Sequence, residues 1–315
     1  MASRIVTATA RPTAVADGVP PSSDGDVKGA DRLRLAAAAA LFSTGGAAIK
    51  ATTLSAWQVA SFRSGVAALV VFLLVPAARK GMSWKVGVVA ITYAATMIIF
   101  VASNKNTTAA NAIFLQGTAP LYVLVLAPWL LRERISRADM GAMCALALGL
   151  ALVVMGATQP GVTAPNPSLG NMLGLLSGLS WALTLVGLRW LGTGEDGEQS
   201  TLATVVAGNA LASLACLPAA LPVASATGVD WAVIAYLGVI QIGFAYYLMT
   251  RGIRGVPAFE ASMILLIEPA LSPVWAWAVH GERPGLLPIV GGILILGATV
   301  ARAAVRRRQP SGEGR

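Results

Sequence analysis

The main signal for the fold lies in residues 256–285, VPAFEASMILLIEPALSPVWAWAVHGERPG. It is apolar over more than the ~20 residues that a helix needs to cross a bilayer. It nevertheless contains Glu260 and Glu268, the latter followed directly by Pro269. Since a carboxylate at membrane depth is costly unless it is paired or functional, this helix is the first place to look for a site.

A second stretch, TTAANAIFLQGTAPLYVLVLAPWLLRERIS at residues 107–136, follows the same plan. Pro120 precedes Pro269 by 149 positions (269 minus 120). The same offset joins further identical pairs: Glu133 and Glu282, Arg134 and Arg283, Ala109 and Ala258, Ala112 and Ala261. The offset is close to half of the 315 residues, so the chain is predicted to be one membrane unit written twice.

The composition supports a membrane protein. Hydrophobic residues make up 56% of the chain, charged residues 12%, and the mean hydropathy is +0.71. Soluble domains carry about twice as much charge. The net charge of +9 does not indicate nucleic-acid binding, because the basic residues form short runs between apolar blocks and no basic face. Cys144 and Cys216 lie inside apolar blocks, which favours small buried hydrophobes over a disulfide or a metal site.

The apolar blocks predict an all-α integral membrane protein with ten transmembrane helices. Residues 1–31 are predicted to be a disordered cytoplasmic tail, 32–156 and 169–305 two five-helix repeats, 157–168 an extracytoplasmic linker, and 306–315 a basic cytoplasmic tail. The helices are expected at 32–50, 56–77, 86–104, 108–131, 138–156, 169–191, 201–222, 231–250, 257–279 and 286–304.

The basic residues fix the expected orientation. With a cytoplasmic N-terminus, Lys50, Lys105 and Arg283 lie outside, Arg63 lies within the membrane, and the other 19 of the 23 Lys and Arg residues lie inside. This bias places both termini in the cytoplasm and the chain in the plasma (inner) membrane. Because each repeat has five helices, an odd number, the second enters from the opposite side, and the two are inverted repeats whose interface is the expected substrate site.

Rows of small residues mark helix-packing faces. Gly170, Gly174 and Gly178 recur every four residues on the sixth helix, as do Gly141, Ala145 and Gly149 on the fifth. Such rows allow backbones to approach closely. The first helices of the two repeats also match, because Phe42 and Lys50 are spaced as Trp181 and Arg189. Trp181 is a mid-helix tryptophan that either lines a cavity or packs against lipid or a neighbouring helix.

Three ionisable side chains fall inside the membrane: Arg63, Glu260 and Glu268. Helix rise puts Glu268 about 16 Å and Arg63 about 10 Å into the bilayer from opposite sides, so their depths match closely enough for an ion pair. If they pair, losing both should impair the protein less than losing either one. Each has a structural alternative: Arg63 as a partner of a carboxylate or of carbonyls, Glu268 as half of a buried pair, and Glu260 as an end-of-helix charge near Arg251 and Arg254 that reaches towards water.

Other polar side chains supply hydrogen-bonding capacity on the third, fourth and eighth helices: Tyr93, Asn104, Gln116, Gln241, Tyr246 and Tyr247. Pro120 and Pro269 each free a carbonyl in mid-helix and allow bending, so they are candidate gating residues. If Glu268 is protonated in one state and charged in the other, the protein exchanges protons. If it is permanently paired, the substrate runs down its own gradient.

Several chemistries have no signature in the sequence. There is no Walker A motif, no H-E-x-x-H, and the single histidine, His280, lies near a loop. We therefore expect neither an enzyme nor a resident cofactor or metal.

The run GFAYYLMTRGIRGVPAFEASMILLIEPALSPVWAWAVHGERPGLLPIVGGILILGATV, residues 243–300, resembles the second repeat of EamA-type carriers of the drug/metabolite transporter superfamily. Its Glu268-Pro269, Gly281-Glu282 and Gly291-Gly292 stand where that family has them, and FSTGGAAIK at 42–50 together with the Arg63 region resembles the first repeat. The resemblance covers roughly residues 33–305. Ala119 replaces Glu268 in the first repeat, so a symmetric pair of carboxylates is excluded.

The resemblance implies ten helices, inverted repeats and a central cavity lined by the third, fourth, eighth and ninth helices with the first and sixth. It implies a secondary transporter that moves a small amino-acid-like or amphipathic metabolite by alternating access, with outward as the expected direction. The alternative is a non-transporting membrane receptor or assembly subunit with the same fold. The expected partners are a small molecule and the lipid bilayer but not nucleic acid, with a monomer and a homodimer both open.

Cysteine labelling tests the inverted topology. A cysteine near Pro165 should react with a membrane-impermeant maleimide applied outside the cell, and one near Gly194 only after access to the cytoplasm. The opposite result at both positions would overturn the predicted orientation.

Overall fold

The computed structural model describes residues 24–132, 137–156 and 164–280, with further residues between 286 and 301. Its elements are helical throughout the described part, with no strand. They are α1 (Asp24–Phe42), α2 (Gly45–Lys50), α3 (Ala56–Leu74), a 3₁₀ turn (Pro76–Arg79), α4 (Trp84–Asn106), α5 (Ala109–Gln116), α6 (Ala119–Leu131), α7 (Arg137–Gly156), α8 (Pro167–Gly192), α9 (Gly197–Ala220), α10 (Gly228–Tyr236), a π segment (Leu237–Phe244), α11 (Ala245–Gly255), α12 (Ala258–Leu265) and α13 (Ile267–His280).

Hydrophobic side chains cover the outside of this bundle, and charge is found within it. Trp129 and Leu214 are 87% and 66% exposed, whereas Arg63 is 1% exposed. Within the described residues, seven helices or consecutive helix groups are long and apolar enough to cross a membrane, and Met140–Leu152 is a shorter apolar stretch. The chain is therefore a multi-pass membrane protein. The count of ten spans stays a prediction, since much of the tenth predicted helix lies outside the described residues.

The N-terminal boundary differs from the prediction. Helix α1 begins at Asp24, before the expected start at residue 32, so residues 24–31 are helical and not part of a disordered tail. A tertiary contact explains the extension. Asp31 is buried, pairs with Arg34 at 2.6 Å, and lies against the small residues Gly252 and Gly255 of α11.

Capping residues begin several of the spanning helices. Ser55 and Gln58 form a reciprocal capping box at α3, and Thr227 and Asp230 form another at α10. Both satisfy backbone N–H groups that the first turn leaves without a partner. Asp230 also accepts hydrogen bonds from the backbone N–H and the hydroxyl of Thr53, at 2.8 and 3.0 Å, which ties the α2–α3 loop to α10.

Helices of the two predicted repeats pack against each other. Helix α4 lies against α8 and α9, α3 against α9 and the π segment, and α1 against α11, while α5 and α6 both contact α8. The central core is therefore made by helices from both ends of the sequence.

The glycine row of α8 sits at such an interface, as predicted. A Cβ on Gly170, Gly174 or Gly178 would lie 2.6 to 2.8 Å from atoms of Thr107, Leu115 and Thr118. Gly141 of α7 differs, because a Cβ there would meet no described atom within 4 Å. The fifth-helix row is therefore not a close-packing face at that position. Cys216 is buried as expected, but Cys144 is exposed, on the outer surface of α7.

Gly170 and Gly141 form a matched pair for testing backbone approach. Gly170→Ala should lower the free energy of unfolding by about 1–3 kcal/mol, because the methyl group meets the backbone of Thr107. Gly141→Ala should leave stability unchanged or raise it, since alanine favours helix and the position is open. Thermal unfolding in detergent measures both. Equal melting temperatures for the two variants would contradict the packing at Gly170.

Candidate functional site

Four of the spanning elements are interrupted near mid-length. Helices α1 and α2 are separated at Ser43 and Thr44, α5 and α6 at Gly117 and Thr118, and α12 and α13 at Leu266. The fourth interruption is the π segment between α10 and α11. Irregular backbone at membrane depth is tolerated where it is buried in protein or lines a cavity. The four interruptions thus point to the space between them.

Two prolines account for two of the interruptions. Pro120 lies in the first turn of α6, just beyond the break at Gly117 and Thr118, and Pro269 lies in the first turn of α13, beyond Leu266. Proline fits the first turn of a helix, where its missing N–H removes no helical hydrogen bond. The sequence predicts a bend at each proline, and the structure divides each helix a few residues earlier.

A narrow cavity of about 30 Å³ lies between the interrupted helices. Its walls come from seven spans, one more than the sequence predicts, because α3 contributes Arg63. The lining residues are Phe42, Arg63, Thr96, Met97, Phe100, Gln116, Trp181, Gln241, Ile242, Tyr246 and Glu268. An adjoining cavity of about 10 Å³ shares Gln116, Trp181 and Glu268 and is bordered by Pro120 and Pro269.

Aromatic rings form one wall of the main cavity. Phe42 packs edge-on against Tyr246 and Trp181, with ring centroids 5.0 and 6.3 Å apart, and Trp181 and Tyr246 are 6.1 Å apart. Of the two predicted roles for Trp181, the structure supports a place in the cavity wall. The rings offer a flat apolar surface with negative faces, which suits an apolar or cationic group.

Arg63 brings an unneutralised positive charge to the cavity. Its Nη2 donates to the carbonyl oxygen of Met97 at 3.2 Å, and its guanidinium lies 6.0 Å from the ring centroid of Phe100. Its Nε has no hydrogen-bond partner. Among the described residues, no carboxylate approaches the guanidinium within 4 Å. One carbonyl leaves most of its five donor hydrogens available to another ligand.

Glu268 brings a carboxyl group to the same cavity. It is 8% exposed, lines both cavities, and makes no ion pair or side-chain hydrogen bond with any residue in the part of the chain that the structure covers. The predicted Arg63–Glu268 ion pair is therefore not formed. Equal depth does not fix position around the bundle: α3 packs on α9 and the π segment, whereas α13 packs on α1, α2 and α5.

The two glutamines complete the polar lining. Gln116 donates from Nε2 to the hydroxyl of Ser177 at 2.7 Å, and Gln241 donates to the carbonyl oxygen of Phe42 at 3.4 Å. The Oε1 of Gln241 is buried without a partner. The long hydrogen bond and the free carbonyl oxygen leave Gln241 able to bind another polar group.

Four residues singled out from the sequence lie outside the cavity lining. Tyr93 is behind the wall, with its ring centroid 4.7 Å from that of Tyr246 and its hydroxyl accepting from Asn209 at 2.7 Å. Asn104 is fully buried beside Gly46. Tyr247 borders an outer groove.

The fourth, Glu260, is 5% exposed and pairs with Arg32 at 2.7 Å. Arg251 and Arg254, its expected neighbours, pair with Glu198. The interpretation of Glu260 as a charge reaching towards water is therefore wrong. The reason is that α1 packs against α12 and brings Arg32 to Glu260.

The sequence analysis did not assign Phe42, Thr96, Met97 or Phe100 to the site. Threonine, methionine and phenylalanine are ordinary in an apolar helix, so their identity carries little signal. One signal in the sequence was the presence of threonines inside apolar helices of both repeats, since hydroxyls inside a membrane need a partner. In the structure the hydroxyl of Thr96 lies 3.2 Å from that of Thr184.

Comparison with protein families places these features in a known group. The model of the EamA-like transporter family matches twice, at residues 33–155 and 168–301. The Pseudopaline exporter CntI of Pseudomonas aeruginosa is 26% identical over 277 residues, which cover 84% of this chain and 93% of the exporter. An uncharacterized transporter of Archaeoglobus fulgidus is 29% identical over 202 residues, 64% of this chain and 69% of that protein.

A solved crystal structure shares the fold. It superimposes with a TM-score of 0.69 at 19% identity, covering 87% of this chain and 98% of that chain. At this identity the likeness shows the fold alone.

The unneutralised Arg63 allows a test of whether it serves the fold or a ligand. Arg63→Met should raise the free energy of unfolding by about 1–3 kcal/mol, because it replaces a buried charge with an apolar side chain. Arg79→Met is the control: Arg79 donates to the carbonyl oxygens of Phe72 and Leu73, both at 2.7 Å, and its loss should lower the melting temperature. If Arg63→Met is the more destabilised of the two, Arg63 is a structural residue.

Proposed function

Since the chain belongs to the EamA-like transporter family, we propose that it is a secondary transporter that moves a small amino-acid-like or amphipathic metabolite outward across the inner membrane by alternating access. The exporter from Pseudomonas aeruginosa, similar along most of its length, supports the outward direction. The proposal includes no catalytic role for the chain.

The observation that carries the proposal is that two ionisable side chains of opposite type, Arg63 and Glu268, line one cavity with no ion pair between them. Burying Arg63 or Glu268 without a counter-ion is costly, and the fold keeps both. A dipolar ligand would remove both costs at once, with its carboxylate at Arg63 and its ammonium at Glu268. The aromatic wall of Phe42, Trp181 and Tyr246 would take the apolar part.

In this structure the cavity is too small for a metabolite, so binding would require its lining to move apart. The two adjoining spaces measure about 30 and 10 Å³ and have room for no more than a few water molecules. Gln116, Trp181 and Glu268 border both cavities, so they would contact the substrate wherever it lies. Gln241 and Tyr246 would contact it only in the larger cavity.

Repeated contacts support ten helices arranged as two inverted repeats. Phe42 and Trp181 define an offset of 139 (181 minus 42) for the first spans of the repeats, and Pro120 and Pro269 define 149 for the later spans. Under these offsets Gly45 corresponds to Thr184 and Gln241 to Thr92. Each pair is in contact: Gln241 lies against Gly45, and the hydroxyl of Thr184 donates to that of Thr92. The family model also matches twice. Together with the basic bias, this supports cytoplasmic termini at both ends.

The divided helices would supply the gates. Pro120 and Pro269 stand at breaks in two helices that cross the membrane in opposite directions in this topology. Bending at one break would open one side of the cavity while the other stays closed. A receptor or assembly subunit would not need such a cavity, so the polar lining favours transport over that alternative.

Counterflow in proteoliposomes tests the function. Protein reconstituted with a panel of amino acids and small organic cations should accumulate labelled substrate against an unlabelled internal pool. For a dipolar substrate, Glu268→Gln and Arg63→Gln should each reduce counterflow about tenfold or more, because each leaves one substrate charge unpaired. The double variant should be little worse than either one.

Glu195→Gln is the matched control, since Glu195 is an exposed carboxylate away from the cavity, and its counterflow should equal that of the parent protein. Fully additive losses at Arg63 and Glu268 would mean that one substrate does not bridge them. An imposed pH gradient decides the coupling in the same vesicles. Proton exchange requires that the gradient drives uptake by the parent protein and not by Glu268→Gln, whereas indifference of both means a carrier that runs down its substrate gradient.

A further inference from the structure

Two polar contacts stand at opposite ends of the bundle. Each joins a residue of the first span of one repeat, Arg32 of α1 or Asn171 of α8, to the first turn of a half-helix. Near the start of α12, Glu260 accepts a hydrogen bond from Nε of Arg32 at 2.7 Å. Near the start of α5, Asn111 donates from Nδ2 to Oδ1 of Asn171 at 3.4 Å, and Thr107 donates to the same oxygen at 2.9 Å.

The two contacts occupy corresponding positions in the repeats. Asn171 follows Arg32 by 139 residues (171 minus 32), the offset of Phe42 and Trp181. Glu260 follows Asn111 by 149 residues (260 minus 111), the offset of the two prolines. A charged pair on one side of the membrane thus stands where an amide pair stands on the other.

The surroundings of the two contacts correspond as well. Ser103 donates to the carbonyl oxygen of Gly170 at 2.7 Å. By the same offsets Ser103 corresponds to Gly252, and Gly170 corresponds to Asp31. These two are also close, since a Cβ on Gly252 would lie 2.7 Å from the carbonyl oxygen of Asp31. The correspondence therefore covers the backbone approach of the helices and is not limited to one pair of side chains.

Both contacts lie between the cavity and the ends of the bundle. Helix α5 carries Asn111 near its start and Gln116 at its end, and Glu260 near the start of α12 is followed by Glu268 in the first turn of α13; Gln116 and Glu268 line the cavity. Each half-helix is thus held by one contact at the end that lies away from the cavity, and it borders the cavity at its other end. Releasing a contact would let that half-helix swing at its break.

We propose, on the basis of the transport function above, that Arg32–Glu260 closes the cytoplasmic gate and Asn111–Asn171 the outer gate, and that their unequal strength sets the resting state. A hydrogen bond between ions is stronger than one between amides. The outer contact is also incompletely satisfied, since Oδ1 of Asn111 is buried without a partner. The resting protein therefore favours the state that is closed to the cytoplasm and open to the outside.

This bias governs populations and not the direction of net transport, which the gradients determine. Its size follows from the difference between charged and neutral hydrogen bonds, which corresponds to about a fivefold shift in the ratio of the two states. Neither contact touches the cavity lining, so the bias is separable from substrate binding.

Thiol labelling from each side measures the ratio. The reporter is Thr96→Cys, a cavity position, in a Cys144→Ser, Cys216→Ala background, labelled in oriented vesicles with an impermeant methanethiosulfonate. The parent should label faster from outside. Arg32→Gln should raise the cytoplasmic rate about fivefold and lower the outer rate. Asn171→Ala should raise the outer rate by a smaller factor.

Three further variants make the result decisive. Arg34→Gln removes an ion pair with Asp31 within α1 and should leave both rates unchanged. Arg32→Glu combined with Glu260→Arg should restore the parent ratio. Asn171→Arg combined with Asn111→Glu should strengthen the outer contact and shift labelling to the cytoplasmic side.

The proposal is overturned if Arg32→Gln changes neither rate, if it raises both rates equally, or if the grafted outer ion pair leaves the ratio unmoved. The labelling requires no substrate, so it is independent of the counterflow assay. If the labelling rates respond as expected but no counterflow is found, the transport function is refuted and the gate assignment stands. If counterflow is found but the labelling rates do not respond, the gate assignment is refuted and the transport function stands.

Discussion

Every backbone N–H and C=O group inside a bilayer needs a partner within the protein, and this requirement decides where the spanning helices are able to break. In this protein the interruptions at Ser43, Gly117, the π segment and Leu266 gather around one space. The groups freed at the breaks are met by other helices: the hydroxyl of Ser272 donates to the carbonyl oxygen of Ser43 at 3.1 Å. The cavity and the broken helices are therefore one feature.

Close packing of the two halves makes such a centre possible. The glycines of α8 bring its backbone against the α4–α5 connection, and Gly252 does the same for α11 against α1. Because the halves interlock, the cavity is lined by residues of both. A substrate between Arg63 and Glu268 would thus be held by both halves, which ties binding to their relative motion.

The fold was largely predictable from the sequence, and the site only in part. Apolar blocks and the offset between Pro120 and Pro269 are long-range patterns that survive errors at single positions. Membership of the cavity depends on the direction in which each side chain leaves its helix, which sequence spacing does not give for divided helices. Gln116, Trp181 and Glu268 lie in the cavity lining, whereas Tyr93 lies one layer behind the wall.

Glu260 shows the same limit at a helix end. Its nearest basic residues in sequence, Arg251 and Arg254, bind Glu198, and its partner Arg32 comes from a stretch more than two hundred residues away. Local sequence cannot reveal a partner that only the packing of α1 against α12 brings near. The unexpected extension of α1 to Asp24 has the same origin, since its stability comes from contacts with α11.

The π segment has a consequence for the symmetry of the molecule. Its corresponding span in the other half, α4, is continuous α-helix from Trp84 to Asn106, so one half carries a wide turn that the other lacks. A wide turn holds a surplus residue whose position along the helix shifts by exchanging hydrogen bonds between neighbouring carbonyls. Such a shift would rotate Gln241 relative to the cavity while Asp230 and Gly255, at the ends of the span, stay in place. The two halves are therefore not equivalent at this level, and the half with the wide turn has a local degree of freedom of its own.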